Sequence, residues 1–369
     1  MKDKIVKVNL KKNYSIAINT GLLDKCNLYI KGLNIGKKIL IVTQSKVPTI
    51  YISKVKNNLQ KSGFTVFVLS IPSGEEYKNI DSLLKIVDYA IKNKFERNDS
   101  FIAIGGGVIS DLTGFASSIY YRGVNFICIP TTLLGMVDAS IGGKTSVNIK
   151  EGKNLLGTFH QPRIVLIDIN CLKTLPKREL LIGMAEVIKY ALLEKTAGVK
   201  YQNAGFYNYL RNYRKDILKL NSNKLLEIIN HSAKVKANIV SKDEKESNLR
   251  AILNLGHTFA HGIEQAYNYK RYTHGEAVSI GICIAFTLAS RKNLISKNIT
   301  KGVIDLIFSY GLPVKLSDKS RLTKIMKSML LDKKVKDGKL RFILPEKEIG
   351  KVKIVSGISD KEIRKVLIS

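Results

Sequence analysis

Along the first half of the chain, short apolar runs alternate with segments of helical period. Lys38 to Thr43, Phe64 to Ile71, Phe101 to Ile104, Val124 to Ile129 and Ile164 to Asp168 are compact stretches rich in Val, Ile and Phe, which predicts buried strands. Between them lie stretches such as Asn79 to Lys94 whose apolar positions recur at helical spacing. Strand and helix in alternation predict βαβ units and a largely parallel sheet. After Leu175-Pro176 the pattern changes. Glu179 to Glu194, Lys224 to Val240, Leu249 to Ala266 and Glu276 to Arg291 carry helical period, and strand character returns only at Leu340 to Leu344. The expected architecture is an α/β domain over residues 1–175 followed by a mainly α-helical domain over residues 176–369.

Composition narrows the setting. No apolar run reaches the roughly 20 residues needed to span a bilayer, and the first residues enter alternating sequence without a signal-peptide core. The expectation is a cytoplasmic protein with no membrane partner. Cys26, Cys128, Cys171 and Cys283 stand far apart in apolar contexts with no CxxC spacing, which predicts reduced core thiols. The 61 basic and 30 acidic residues give a net charge of +31, which raises nucleic acid as a partner. The lysines, however, are scattered through every predicted element and form no stripe with interleaved aromatics. A solvated basic surface that attracts phosphorylated small molecules is the expectation, with no nucleic-acid partner.

The segment Phe101 to Asp111 is a strand that runs into Gly105, Gly106 and Gly107 and then a helix. Such a turn lets phosphate oxygens approach backbone N–H groups at a helix N-terminus, which favours a dinucleotide pyrophosphate. A plain strand-to-helix turn is the alternative. The pattern is not the Rossmann fingerprint, because Ser110 stands where a third glycine would fall and the loop follows a late strand. Pro72 to Lys78 and Pro130-Thr131-Thr132 follow two other strands and offer hydroxyls, a carboxylate and an ammonium for ribose and phosphate, although each also reads as a turn and a cap. Asp138 to Thr145 and Glu151 to Asn154 set two lysines, an amide and a carboxylate beside glycines, a composition suited to a phosphate monoester or to a basic surface loop.

The metal candidates are sharper. Of five histidines, three fall within Leu253 to His261 and Tyr272 to Glu276, and such clustering points to zinc or a similar divalent ion. Glu186 and Lys189 lie three apart on an apolar helical segment, where a buried Glu and Lys need partners, so Glu186 is a candidate carboxylate ligand. By spacing alone His257 and His261, four apart, both read as ligands, without the glutamate directly after the first that a metalloprotease motif requires.

Taken together, GGGVISDLTGFASSIYYRG, IPTTLLGMVDASIGGKTSVN, EGKNLLGTFHQP, CLKTLPKREL, GMAEVIKYALL, LRAILNLGHTFAHGIE and HGEAVSIG, in constant order from about Glu75 to Ile349, resemble the 3-dehydroquinate synthases. The resemblance implies an N-terminal α/β domain that holds NAD and a helical C-terminal domain that supplies a metal site for Zn2+ or Co2+. The positions matching NAD contacts are Ser73, Gly74, Glu75, Glu76, Tyr77, Lys78, Gly107, Val108, Ile109, Ser110, Asp111, Thr131, Thr132, Lys144, Lys153, Cys171, Leu172, Lys173 and Thr174. The matching metal ligands are Glu186, His257 and His274. His261 then matches a histidine that faces the substrate, which displaces the His257 and His261 pair suggested by spacing. Arg122, Asp138, Lys144, Lys153, Asn154, Lys189, Lys236, Glu246, Arg250 and Asn254 match the substrate site, with Lys333 or Lys334 reaching it from the last helices. Arg122 matches a residue contributed across a homodimer interface. Two positions depart from the family pattern: Ser110 replaces a frequent glycine, and Gln44 stands where an acidic or amide residue commonly follows the first βα strand.

The implied substrate is 3-deoxy-D-arabino-heptulosonate 7-phosphate, whose carboxylate and phosphate need separate cationic clamps. Lys144, Asn154 and Lys333 or Lys334 are favoured for phosphate, and Lys236 with Arg250 for carboxylate. The implied sequence is transient oxidation by NAD, phosphate elimination, re-reduction, and ring opening with intramolecular aldol closure. The alternatives are a cyclase of 2-deoxy-scyllo-inosose or sedoheptulose 7-phosphate type, whose substrates lack the carboxylate, and a metal-dependent polyol dehydrogenase, which needs no phosphate clamp.

Overall fold

A computed structural model describes residues 3–202, 205–331, 335–336 and 339–368 of the chain. Lys333 and Lys334, expected to reach a substrate, lie outside the described residues. The chain divides into two compact units, one of residues 1–180 with 220–245 and the other of 181–219 with 246–369.

In the first unit, strands β1 (Lys4–Val8), β2 (Tyr14–Asn19), β3 (Lys38–Gln44), β4 (Thr65–Ile71), β5 (Ser100–Gly105), β6 (Asn125–Pro130) and β9 (Ile164–Asp168) form a seven-stranded sheet in the order β1-β2-β9-β6-β5-β3-β4. All neighbours are parallel except β1 and β2. The runs are apolar throughout because a parallel sheet is covered on both faces, and every residue of β5 and β9 is buried. Helices α1 (Asn27–Ile30), α2 (Thr49–Gln60), α3 (Ile80–Lys92) and α4 (Gly107–Ile119) make the connections. Asn79 caps α3 by accepting from the Ser82 N–H at 2.9 Å, which supplies one of the orphan donors of a helix start. β4 lies on one side of β3 and β5 on the other, so the winding reverses there. Such a switch point leaves a crevice at the carboxyl ends of the strands, where ligands of open α/β sheets bind.

Two features of this unit lay hidden in the sequence. Lys144 to Phe159, which takes in parts of the two segments suited to a phosphate monoester or to a basic surface loop, forms an antiparallel hairpin of β7 (Lys144–Ile149) and β8 (Gly152–Phe159). It packs on α4, where a side chain at Gly114 would come within 2.4 Å of Thr145 Cγ2. Helix α8 (Ser222–Lys242) lies beyond the expected boundary at 175 yet packs against β1 and β2.

The second unit is built from most of α5 (Lys177–Ala191), then α6 (Phe206–Asn212), α7 (Arg214–Leu218), α9 (His257–Ala266), α10 (His274–Arg291), α11 (Lys297–Ser309), α12 (Leu322–Leu331) and α13 (Asp360–Ile368). A three-stranded antiparallel sheet of β10 (Val335–Lys336), β11 (Lys339–Pro345) and β12 (Val352–Ser356) completes it. Helix α10 is its centre, buried around most of its circumference and packed against α9, α11, α13 and β11. The expected helix Leu249 to Ala266 is two pieces, a 3-10 turn at Leu249–Asn254 and α9, broken at Gly256 with φ +76°. A left-handed residue cannot continue a right-handed helix. Among the described residues no helix is long and apolar enough to cross a membrane.

Candidate active site

The first unit gathers its polar residues on the loops after the strands. Gly106 caps the start of α4, and its neighbours are tightly fitted: a Cβ on Gly105 would lie 2.9 Å from Ile109 Cβ, and one on Gly106 would lie 3.2 Å from Thr132 Cγ2. The turn therefore presents bare backbone at a helix N-terminus, the arrangement that receives phosphate. Ser110 directs its hydroxyl inward, donating to the Gly106 carbonyl at 3.2 Å and meeting Cys128 Sγ at 3.2 Å. The departure from glycine is thus absorbed in the core. Burial pushes the Cys128 thiol up to about 12, so it stays protonated; all four cysteines are buried free thiols.

Lys78 ties three loops together. It is buried, pairs with Asp111 in the second turn of α4, donates to Asn154 Oδ1 on the hairpin, and accepts from the Asn148 N–H at its own carbonyl at 2.7 Å. Burial raises the Asp111 carboxyl above its usual range, against the opposing pull of Lys78. Glu75 receives the Asn148 amide at 2.9 Å and Lys153 Nζ at 3.2 Å. At the switch point Ser73 Oγ accepts from the Lys46 N–H at 2.9 Å and meets Ser45 Oγ at 3.1 Å. Gly74 holds φ +144°, where a side chain would strike the Glu76 carboxylate at 2.3 Å. Thr132 Oγ1 accepts from the Gly135 N–H at 3.0 Å, and Thr131 N–H donates to the Gly105 carbonyl at 2.9 Å. Both threonines therefore also serve the turn. After β9, the 3-10 turn Ile169–Thr174 buries Cys171 and Leu172, exposes Lys173, and sets Thr174 Oγ1 2.9 Å from the Tyr51 hydroxyl. Ile109, Cys171 and Leu172 have core side chains, so their backbone is what they offer a ligand.

Asp138 lies on a π-helical turn, Gly135–Ala139, a local widening frequent at functional sites. Lys236 of α8, buried, donates to both the Asp138 carbonyl at 2.6 Å and its Oδ1 at 2.7 Å. Lys144 and Asn154 are exposed on the hairpin, with Asn154 at φ +56°. Arg122 is exposed in a turn where Tyr121 and Arg122 hold φ +47° and +63°, an uncommon succession for residues with side chains.

The second unit brings three ligand atoms to one point. Glu186 comes from α5, His257 is the first residue of α9, and His274 is the first residue of α10. Glycines permit the approach. A Cβ on Gly256 would lie 2.6 Å from the Ile282 nitrogen of α10, one on Gly281 2.1 Å from the Gly256 carbonyl, and one on Gly275 2.5 Å from Ile182 Cα of α5. The Thr273 and Glu276 capping box fixes the start of α10. With these contacts His257 Nε2 lies 3.5 Å and His274 Nε2 3.7 Å from Glu186 Oε1, and all three ligand atoms lie within 4.8 Å of one another.

Those separations fit a shared ion. Two ligands each about 2.1 Å from one zinc ion at tetrahedral angles stand about 3.4 Å apart, close to the two distances measured from Glu186 Oε1. The other ring nitrogens are engaged: His257 Nδ1 faces the Leu255 carbonyl at 3.1 Å and His274 Nδ1 faces Glu264 Oε1 at 3.4 Å. This leaves both Nε2 atoms directed inward, as in a metal centre with its outer contacts formed. Burial lowers the His274 pKa, but the Glu264 and Glu186 carboxylates override it and push the ring up to about 10, so the surroundings favour positive charge. Glu186 is fully buried and ion-paired with Lys189 one turn on.

In the segment just before α9, Asn254 Nδ2 donates to Glu246 Oε1 at 2.9 Å, and Arg250, 1% exposed, is the largest fully buried side chain among the described residues. His261 stands one turn after His257, with the two rings edge to face at 5.6 Å between centroids. Glu264 was missed by sequence reasoning, although it lies seven residues after His257 and so on the same helical face.

The profile described as 3-dehydroquinate synthase N-terminal matches residues 68–182, and that described as 3-dehydroquinate synthase C-terminal matches residues 183–335. The 3-dehydroquinate synthase of Prochlorococcus marinus subsp. pastoris is 45% identical over 368 residues, covering 99% of each chain. Among solved structures, 2-epi-5-epi-valiolone synthase from Streptomyces hygroscopicus subsp. jinggangensis with NAD+ and Zn2+ bound is 28% identical, with TM-score 0.86 and 96% of each chain covered. A 2-deoxy-scyllo-inosose synthase complexed with carbaglucose-6-phosphate, NAD+ and Co2+ is 26% identical, with TM-score 0.87 and 99% of each covered. Identity along nearly the whole length, together with both profiles, identifies the chain as a member of the 3-dehydroquinate synthase family.

Proposed function

We propose that this enzyme converts 3-deoxy-D-arabino-heptulosonate 7-phosphate to 3-dehydroquinate and phosphate, using NAD and one divalent ion, Zn2+ or Co2+. The observation that carries the reading is the convergence of Glu186, His257 and His274 in a chain 45% identical over its length to a 3-dehydroquinate synthase. Residues 1–175, with helix α8 packed against them, serve as the NAD-binding domain, and the rest of 176–369 as the metal domain.

When bound, NAD supplies a reversible hydride acceptor and the ion supplies Lewis acidity at a substrate hydroxyl. The chain's own residues do the rest. Gly107 to Asp111 receive the pyrophosphate at the α4 N-terminus, and Ser73 to Lys78, Thr131, Thr132 and Cys171 to Thr174 surround the remainder of the nucleotide. Lys144 and Asn154 hold the substrate phosphate, joined by Lys333 or Lys334; Lys236 and Arg250 hold its carboxylate. Asp138, Lys153, Lys189, Glu246 and Asn254 orient the hydroxyls, and His261 moves a proton at its imidazole nitrogen. The departing phosphate takes the proton next to the transient ketone. Oxidation and reduction cancel within one turnover, so the net reaction is an elimination and cyclisation.

A basic surface without a lysine stripe supports a small anionic substrate over nucleic acid, and the protein works in the cytoplasm. Exposed Ile119, Tyr121, Leu155, Leu156 and Phe159 near Arg122 in sequence or on β8 suit a homodimer in which Arg122 serves the partner's site. The runner-up is a cyclase of 2-deoxy-scyllo-inosose or sedoheptulose type, which the two structural relatives favour by fold. It is disfavoured by lower identity, 28% and 26% against 45%, and by the cations reserved for a carboxylate. The test is to incubate protein, NAD and Zn2+ with 3-deoxy-D-arabino-heptulosonate 7-phosphate, glucose 6-phosphate or sedoheptulose 7-phosphate, measuring phosphate release and product mass. Turnover of the first alone is expected; turnover of either of the others instead would replace this assignment.

A further inference from the structure

We infer that Glu264 is a positioning residue of the metal centre, which fixes the His274 ring by accepting its Nδ1–H and so directs Nε2 at the point shared with Glu186 and His257. The inference rests on the metal reading above. Glu264 Oε1 lies 3.4 Å from His274 Nδ1, while the opposite nitrogen of the same ring lies 3.7 Å from Glu186 Oε1. The ring is therefore held between two carboxylates, and only the Glu186 side meets His257 Nε2. Glu264 is itself buried, and a buried carboxylate requires compensation that the imidazole N–H provides.

The two histidines are held differently. His257 Nδ1 meets a neutral backbone carbonyl, that of Leu255, two residues before it on its own chain segment. His274 sits at the first turn of α10, has a side chain 33% exposed, and takes its orienting contact from another helix. His274 thus takes from Glu264 the orienting contact that His257 takes from its own backbone segment. Helix α9 thus supplies one ligand, His257, and the orienting group of the other, and the docking of α9 on α10 and the assembly of the metal centre become one event. A carboxylate in this position also makes the ring a stronger electron donor.

The test measures Zn2+ and Co2+ affinity by chelator competition for the wild type, Glu264→Gln, His274→Ala and the double variant, with the absorption spectrum of the Co2+ forms and the melting temperature in chelator as controls. Glu264→Gln keeps the side-chain volume and should melt within a few degrees of the metal-free wild type. It should bind the ion about ten- to a hundredfold more weakly, the usual effect of losing an outer-shell partner, with an altered Co2+ spectrum. In the His274→Ala background the same change should have no further effect on affinity, an outcome that a general structural role would not give. Unchanged affinity and spectrum in Glu264→Gln, or an equal loss with and without His274, would overturn the inference while leaving the metal centre standing. A wild type that binds neither ion would remove the metal reading itself, and the inference with it.

Discussion

The two units of this chain carry chemistry in different ways. In the first, most residues matching NAD contacts sit on loops at strand ends, where the Gly106–Gly107 turn leaves backbone bare. In the second, the three converging ligand atoms come from helices, and the glycines there let helices touch. Gly107 illustrates the first kind: its φ is not left-handed, and a Cβ would make only an ordinary 3.4 Å contact with Ala139. Gly256 illustrates the second: its φ is +76° and a Cβ would fall 2.6 Å from a backbone nitrogen of α10. Gly107 can thus be changed with little harm to the fold, whereas Gly256 belongs to the contact of α9 with α10 that also sets His257.

The largest expected effect tests the independence of the two halves. Removing a ligand by His257→Ala or His274→Ala should weaken ion binding until the protein purifies without the ion, read by mass spectrometry, with only residual affinity at added metal, and should bring phosphate release below detection, while NAD affinity by calorimetry stays near the wild-type value. Comparable loss of NAD affinity would break the division. Next, His261→Ala should retain the ion and lose about a hundredfold in rate, the scale of a positioned acid or base; a variant that arrives metal-free would restore His261 as a ligand. The glycines come third. Gly256→Ala should lower stability by about 1–3 kcal/mol through backbone strain and collision, seen in denaturant unfolding. Gly107→Ala should unfold like the wild type and bind NAD more weakly, and the reverse ranking would contradict the contrast drawn above.

The smallest effect concerns His160 in the first unit, whose ring stacks on Phe126 and whose Nε2 lies 3.0 Å from the Val124 carbonyl. Burial lowers its pKa below the usual 6.5, only partly offset by the Val124 carbonyl. The folded state therefore prefers the neutral ring. Its contribution to stability is full above pH 6.5 and is lost as pH falls through the lower folded value. Melting temperature should drop less on acidification in His160→Gln than in the wild type; an equal drop would show that the ring is not the group responsible.

What the sequence disclosed follows the same contrast. Buried parallel strands are continuous apolar runs, so Ile164 to Asp168 could be delimited from composition alone. The hairpin at 144–159 could not, because β8 is exposed along most of its length and offers no apolar alternation to read. The break at Gly256 was obscured because apolar period continues through it, and φ is not visible in a residue name. Spacing on one helix suggested His257 with His261, since a sequence shows neighbours along a helix and not those across helices. The ligand atoms that converge belong to α5, α9 and α10, with Glu186 seventy-one residues before His257 in the chain. The family motifs supplied that set, and Glu264, outside the matched contacts, appeared only with the fold.

The most direct measurement is the ratio of phosphate released to NADH accumulated when the Zn2+-loaded enzyme turns over excess 3-deoxy-D-arabino-heptulosonate 7-phosphate with limiting NAD. Many phosphates and many molecules of 3-dehydroquinate per NAD are expected, with no net NADH. One NADH appearing for each product molecule, with turnover ending when NAD is spent, would mark the protein as a dehydrogenase and contradict the proposed function.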